Sequence, residues 1–143
     1  MGKYDRYFMT EANLPAKKQK TADEYAGTYS HVAWLDSNKI EGAFYTEVVW
    51  YYKPRISVVG AHTHDFDEII AFFGSNPYDI HDLGGEVELW MGGEKHTITR
   101  SCLVFIPKGM EHCPLSIVRV DRPIFHFTVG TGGKYISSLE RED

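Results

Sequence analysis

The chain has 143 residues, 43% hydrophobic and 14% aromatic, and a formal net charge of −5. That is enough for one domain with a substantial core and too apolar for a disordered chain. The acidic balance argues against nucleic acid or an anionic membrane surface as the main partner, and no apolar run approaches the roughly 20 residues that cross a bilayer.

Residues 1–28 read as a polar N-terminal arm, with Pro15, the cluster Lys17, Lys18 and Lys20, and a short helical hint over Thr21–Ala26. Three lysines in such a stretch read as a solvated connector. The opening MGKYDRYFMT has no apolar signal region, and Arg6 stands where a myristoylation signal wants Ser or Thr, so the expected location is the cytoplasm.

From residue 29 to 143 the pattern is β throughout. Predicted strands are Ser30–Leu35, Ala43–Tyr52, Ile56–Ala61, Glu68–Phe73 and Glu86–Met91, then Lys95–Thr99, Cys102–Ile106, Leu115–Val120 and Ile124–Val129. Each is rich in β-branched and aromatic residues and bounded by Gly, Pro, Asn or Asp. Gly92-Gly93 predicts a tight hairpin, and Gly74–Gly85 a longer polar loop. Short strands at this spacing predict an all-β sandwich or barrel. Two cysteines, Cys102 and Cys113, are too few for a disulfide scaffold, so free thiols are expected.

The most informative stretch is Gly60-Ala61-His62-Thr63-His64-Asp65-Phe66-Asp67-Glu68. Side chains alternate faces along a strand, so His62 and His64 share one side, and Glu68 joins them if the intervening turn brings it back. Two imidazoles and a carboxylate suit Mn, Fe, Co, Ni, Cu or Zn. Alone, a His-x-His pair also fits two surface histidines. A second element, Pro107-Lys108-Gly109-Met110-Glu111-His112, places another histidine just past a Pro/Gly turn entering a strand.

Together these segments resemble the two motifs of the cupin superfamily, G-x5-H-x-H-x3-4-E-x6-G and G-x5-P-x-G-x2-H-x3-N. His62, His64 and Glu68 sit at the spacing of the first, and Pro107, Gly109 and His112 at that of the second. Ile56, Ser101 and Ser116 replace the leading glycine, the second motif's glycine and its asparagine, and Gly74 falls one residue early. The resemblance spans roughly residues 40 to 130. It implies a double-stranded β-helix, or jelly-roll, barrel holding one divalent transition metal (Fe, Mn, Ni or Zn) on His62, His64, Glu68 and His112. It further implies a homodimer formed through sheet contacts, with the arm against the neighbouring subunit.

If the chain leading to His62 is regular, parity puts Trp50, Tyr52, Ile56 and Val58 on the metal side, as a wall for a small organic substrate or simply as barrel core. A bulge before Ile56 would invert these faces. His126 interrupts the apolar run Ile124-Phe125-His126-Phe127; inside the barrel it could hydrogen-bond substrate or act as a general base, and otherwise it is a satisfied core or outward-facing histidine. Arg55 and Arg100 could hold a carboxylate, though nothing in the sequence aims either inward. Glu86, Glu88 and Trp90 share a face that reads as exposed, as do His81 and His96. Cys113, next to His112, is expected to point the other way. These features predict a metal-dependent enzyme acting on a small organic molecule, by dioxygenase, isomerase or lyase/decarboxylase chemistry. The alternative is a non-catalytic module whose metal helps hold a sugar or small acid.

Overall fold

The computed structural model describes residues 2–19, 27–56 and 59–134; the helical hint over Thr21–Ala26, and Val58, lie outside them. Eight strands follow in order: β1 (Tyr29–Leu35), β2 (Tyr45–Tyr51), β3 (Glu68–Phe73), β4 (Asp82–Met91), β5 (Glu94–Arg100), β6 (Cys102–Ile106), β7 (His112–Val120) and β8 (Ile124–Gly130). Strand β8 shows why the sequence takes this form. Ile124, His126, Thr128 and Gly130 are buried while Phe125, Phe127 and Val129 are only partly so, the two-residue period of a strand with one face on the core.

All pairings are antiparallel and make two sheets, β1-β2-β8-β3-β6 and β5-β4-β7. Val49, Ile70, Phe72 and Ile124 from the larger sheet meet Leu83, Val87 and Ile117 from the smaller in one apolar cluster. The predicted barrel is therefore two facing sheets whose edges do not join. Among the described residues no helix is long and apolar enough to cross a membrane.

The predicted strand Ile56–Ala61 is absent among the described residues. Arg55 and His62 touch β7 through isolated backbone bridges, at 2.8 Å to Ile117 and 3.0 Å to His112. From Arg55 to His62 is seven steps of chain, against five from His112 to Ile117. The two stretches thus differ by two residues between the same pair of bridges.

The predicted loop Gly74–Gly85 ends at His81, because β4 begins at Asp82. Ser101, where the family motif has glycine, pins this loop. Its hydroxyl donates to the Ile80 carbonyl (2.8 Å) and accepts from the Gly74 N–H (2.9 Å). Gly92 and Gly93 form the predicted hairpin with φ of 59° and 79°, the paired positive values of a type I′ turn, which favour glycine.

In the N-terminal arm, three single 3₁₀ turns (Asp5–Tyr7, Glu11–Asn13 and Ala16–Lys18) precede the domain. The second lies against β1. Leu14 is buried, and Lys18 reaches Glu47 on β2 at 3.4 Å.

Phe72 has no solvent exposure and belongs to this core, whereas Leu103 is 62% exposed. Phe72→Ala is expected to cost about 3–5 kcal/mol and Leu103→Ala less than about 0.5 kcal/mol, as measured by urea denaturation of each variant.

Candidate metal centre

The two ligand segments meet because backbone polar groups lock them together. His62 and His112 exchange both backbone hydrogen bonds at 3.0 Å. The Gly109 N–H donates to the His64 carbonyl (3.0 Å), and the Lys108 N–H to the Asp67 carboxylate (2.8 Å). The Pro107–Gly109 turn is thereby fastened to the loop that carries His64.

The imidazoles of His62, His64 and His112 cluster with centroids 4.5–5.0 Å apart. Glu68, at the start of β3, sets one carboxylate oxygen 3.4 Å from His64 Nε2 and the other 3.4 Å from His112 Nε2. All four residues are at most 5% exposed. The sequence thus named four side chains that the fold brings to one place.

A divalent cation fits this donor set. The ligand atoms of His64, Glu68 and His112 lie within 4.8 Å of one another. A metal with bonds of about 2.0–2.2 Å draws its ligands to similar separations. Glu68 Oε2 is buried and accepts no hydrogen bond, a costly state for a carboxylate unless a cation meets it. Two of the rings are also oriented from behind. His62 Nδ1 donates to the Gly60 carbonyl (2.8 Å) and His112 Nδ1 to the Met110 carbonyl (3.0 Å), which leaves each Nε2 as the ligand atom. Phe66 stacks on His64 at 4.7 Å. That ring occupies the space where Gly130 and Gly132 lack side chains, since a Cβ at either would stand 2.5 or 2.2 Å from a ring carbon.

Burial holds the His62 imidazole below its ordinary pKa. Burial also presses on His112, but its contact with Glu68 and the Met110 carbonyl outweigh that and raise it.

Cys113 departs from the expectation that it faces away from His112. Its sulfur lies within 4.8 Å of the ligand nitrogens of His62 and His112. The register of β7 on β4 slips between Leu89 and Met91, and Cys113 itself has φ of 79°. That bulge breaks the alternation and turns neighbouring residues to the same side. Burial and the charge of Glu68 push the thiol up to about 12.

The donors form part of the lining of a cavity of about 790 Å3, and its wall differs from the expected one. Trp50, Tyr52 and Ile56 do not line it. Trp50 packs on Phe125 at 4.9 Å, Tyr52 hydrogen-bonds Ser30 at 2.7 Å, and Ile56 is 83% exposed. Instead Tyr45, Glu47, Val49 and Tyr51 of β2 face inward. The unequal residue count between the two bridges is the reason, because counting back from His62 in steps of two holds only along unbroken strand. Arg100, His81 and His96 are exposed, while Glu86 and Glu88 face Arg119 and Lys95 at 3.9 and 3.8 Å.

Two strands over from Glu68 in the same sheet, β2 contributes a polar group that sequence reasoning did not single out. Glu47 Oε2 meets His31 Nε2 at 2.9 Å and Lys18 Nζ at 3.4 Å, and the Tyr45 hydroxyl donates to Oε1 at 3.4 Å. Burial raises the Glu47 carboxyl, but the His31 hydrogen bond and the Lys18 charge outweigh it and leave the pKa lowered. The signal available in the sequence was an acid inside the otherwise strand-forming run Tyr45-Thr46-Glu47-Val48-Val49, a residue type depleted in strands.

His126 faces the cavity. Its Nδ1 donates to the Ala71 carbonyl (2.9 Å), Nε2 is 3.3 Å from the Thr128 hydroxyl, and the ring stacks on Phe72 at 4.7 Å. Burial brings its pKa down to about 4, so at neutral pH the ring is uncharged, with Nε2 as an acceptor.

Because the folded value lies below the unfolded one, the unfolded chain binds this proton more readily. Stability from His126 is therefore complete above about pH 6.5 and is lost as pH falls toward 4, by an amount on the order of 3 kcal/mol. His126→Asn is expected to flatten that limb of a stability–pH curve measured by denaturation.

No protein-family model matches the chain, and no curated protein sequence matches it. Among solved structures it is similar to an uncharacterized conserved protein with a double-stranded β-helix domain from Klebsiella pneumoniae. That match has 15% identity and a TM-score of 0.52, over 88% of this chain and 96% of the other. It is also similar to an oxalate oxidase in complex with the substrate analogue glycolate, at 12% identity and a TM-score of 0.55, over 93% of this chain and 63% of that one. A third match, KdgF from Halomonas sp., has 13% identity and a TM-score of 0.45, over 75% and 78%. Identities this low speak for the fold alone. With its two facing antiparallel sheets, the chain has a double-stranded β-helix fold.

Proposed function

We propose that the protein is a metal-dependent enzyme acting on a small organic molecule held in the cavity, with His62, His64, Glu68 and His112 as the metal ligands. The observation that carries this reading is the buried Glu68 carboxylate, set between two imidazoles at 3.4 Å and short of a hydrogen-bond donor at Oε2. The fold is one that solved enzymes use, an oxalate oxidase among them. When bound, a divalent metal would polarise a substrate oxygen as a Lewis acid.

The chain's own groups supply the rest. The Gly60 and Met110 carbonyls keep two ligand rings in place. Val49, Ile70, Leu115 and Ile117 form the apolar part of the wall and limit water beside the donors. His126, neutral and turned inward, offers Nε2 and the adjacent Thr128 hydroxyl to a substrate polar group. Glu47 is ionised and held by His31 and Lys18, so it orders that side of the cavity wall.

A sugar-binding module would offer a bare aromatic platform. Trp34, the indole lining the cavity, carries Lys18 Nζ 4.3 Å over its ring and meets Tyr45 edge-on at 5.1 Å. This favours catalysis over sugar binding.

Elemental analysis of the isolated protein is expected to find close to one divalent transition metal ion per chain. His112→Ala is expected to lower metal affinity by more than the roughly 10–100-fold that outer-sphere changes cost, while far-UV circular dichroism stays unchanged. Wild-type protein that neither carries nor takes up such an ion would refute the proposal. Oxygen uptake by an iron-loaded sample would select oxygenase chemistry.

A further inference from the structure

Arg55 has no part in the metal centre, yet it lines the same cavity. It is well held. Its backbone exchanges two 2.8 Å hydrogen bonds with Ile117, and its guanidinium lies 4.5 Å from the centre of the Tyr29 ring. The Tyr51 side chain also lines the cavity, close enough for the Arg55 charge to act on it. Arginine can only donate, whereas the Tyr51 hydroxyl can both donate and accept. The pair therefore presents donors and one positive charge.

Among the described residues no anion answers that charge, and no carboxylate forms an ion pair with Arg55. The three acids that line the cavity are committed elsewhere. Glu47 is taken by Lys18 and His31, Asp36 accepts from the Trp34 Nε1–H and the Asn38 N–H, and Glu68 belongs to the donor cluster. Lys134 also lines the cavity, in a chain whose net charge is −5. A half-buried guanidinium with its forked donors suits a planar, acceptor-only group.

We propose that Arg55, assisted by Tyr51, anchors a substrate carboxylate, so that the substrate is a small organic acid whose other end meets the histidine–glutamate cluster. This rests on the metal-centred reading above for the second anchor only. Arg55 and His62 pair with residues five apart on β7, which separates their backbones by at most about 17 Å. That bound keeps the acid small, and the dicarboxylates of different length used below measure its span.

The test is isothermal titration of the metal-loaded protein with succinate, glutarate and adipate, each compared with its monoamide. The acids are expected to bind about 10–100-fold more tightly than the monoamides. Arg55→Gln is expected to remove that difference at unchanged metal content, and Arg55→Lys to keep part of it. Tyr51→Phe, which leaves the ring in place, should weaken acid binding severalfold and serves if Arg55→Gln does not fold. Equal affinity for acid and amide, or undiminished discrimination in Arg55→Gln, overturns the assignment. Arg55-dependent binding of inorganic phosphate tighter than that of every acid overturns the ligand class. Metal content is read separately. Protein that takes up no metal but still distinguishes acid from amide through Arg55 refutes the metal centre and supports the anion anchor.

Discussion

A carboxylate withdrawn from water and hemmed in by imidazoles is the constraint on which this structure turns. Glu68 is 2% exposed, and removing an acid from solvent without compensation costs several kcal/mol. Much of the surrounding architecture brings the compensating groups to it. Strand β3 sits between β8 and β6 inside the larger sheet, which fixes Glu68 from below. The backbone bridge between His62 and His112, with the hydrogen bonds from Lys108 and Gly109, draws the remaining donors over it.

The cavity next to this cluster is chemically divided. Near the arm, Lys18, His31, Tyr45 and Glu47 form a hydrogen-bonded group whose charges answer one another. Elsewhere the guanidinium of Arg55 rests on aromatic surface. His126 lies across the sheet from Val49 and Phe72, hydrogen-bonded and uncharged. The arm is part of this arrangement, since Pro15, Lys17 and Lys18 contribute to the wall.

What could be read from the amino-acid sequence follows the range of the forces involved. Local rules, alternation along extended chain and a Pro/Gly turn entering a strand, suggested the four clustered residues, but only the resemblance to the two cupin motifs joined them into one set. The eight strands and the Gly92-Gly93 hairpin were legible from local rules alone. The wall was not. Both faces of β2 are strand-forming and partly aromatic, with Tyr45, Val49 and Tyr51 on one side and Val48 and Trp50 on the other. Composition cannot choose between them. The choice depends on where Arg55 and His62 each pair with β7, which spacing in the sequence does not reveal. Cys113 illustrates the same limit, because a slip of register against β4 reversed an alternation that its neighbours predicted.

The ring of Phe66 lies face to face with the His64 imidazole and rests where Gly130 and Gly132 have only hydrogen. A methyl group added at either glycine would drive the ring sideways, and the imidazole stacked on it would have to tilt as well. Two positions that supply no donor therefore act as a tuning screw on one that does. A substitution there would change the geometry of the candidate centre while leaving all four of its side chains in the sequence.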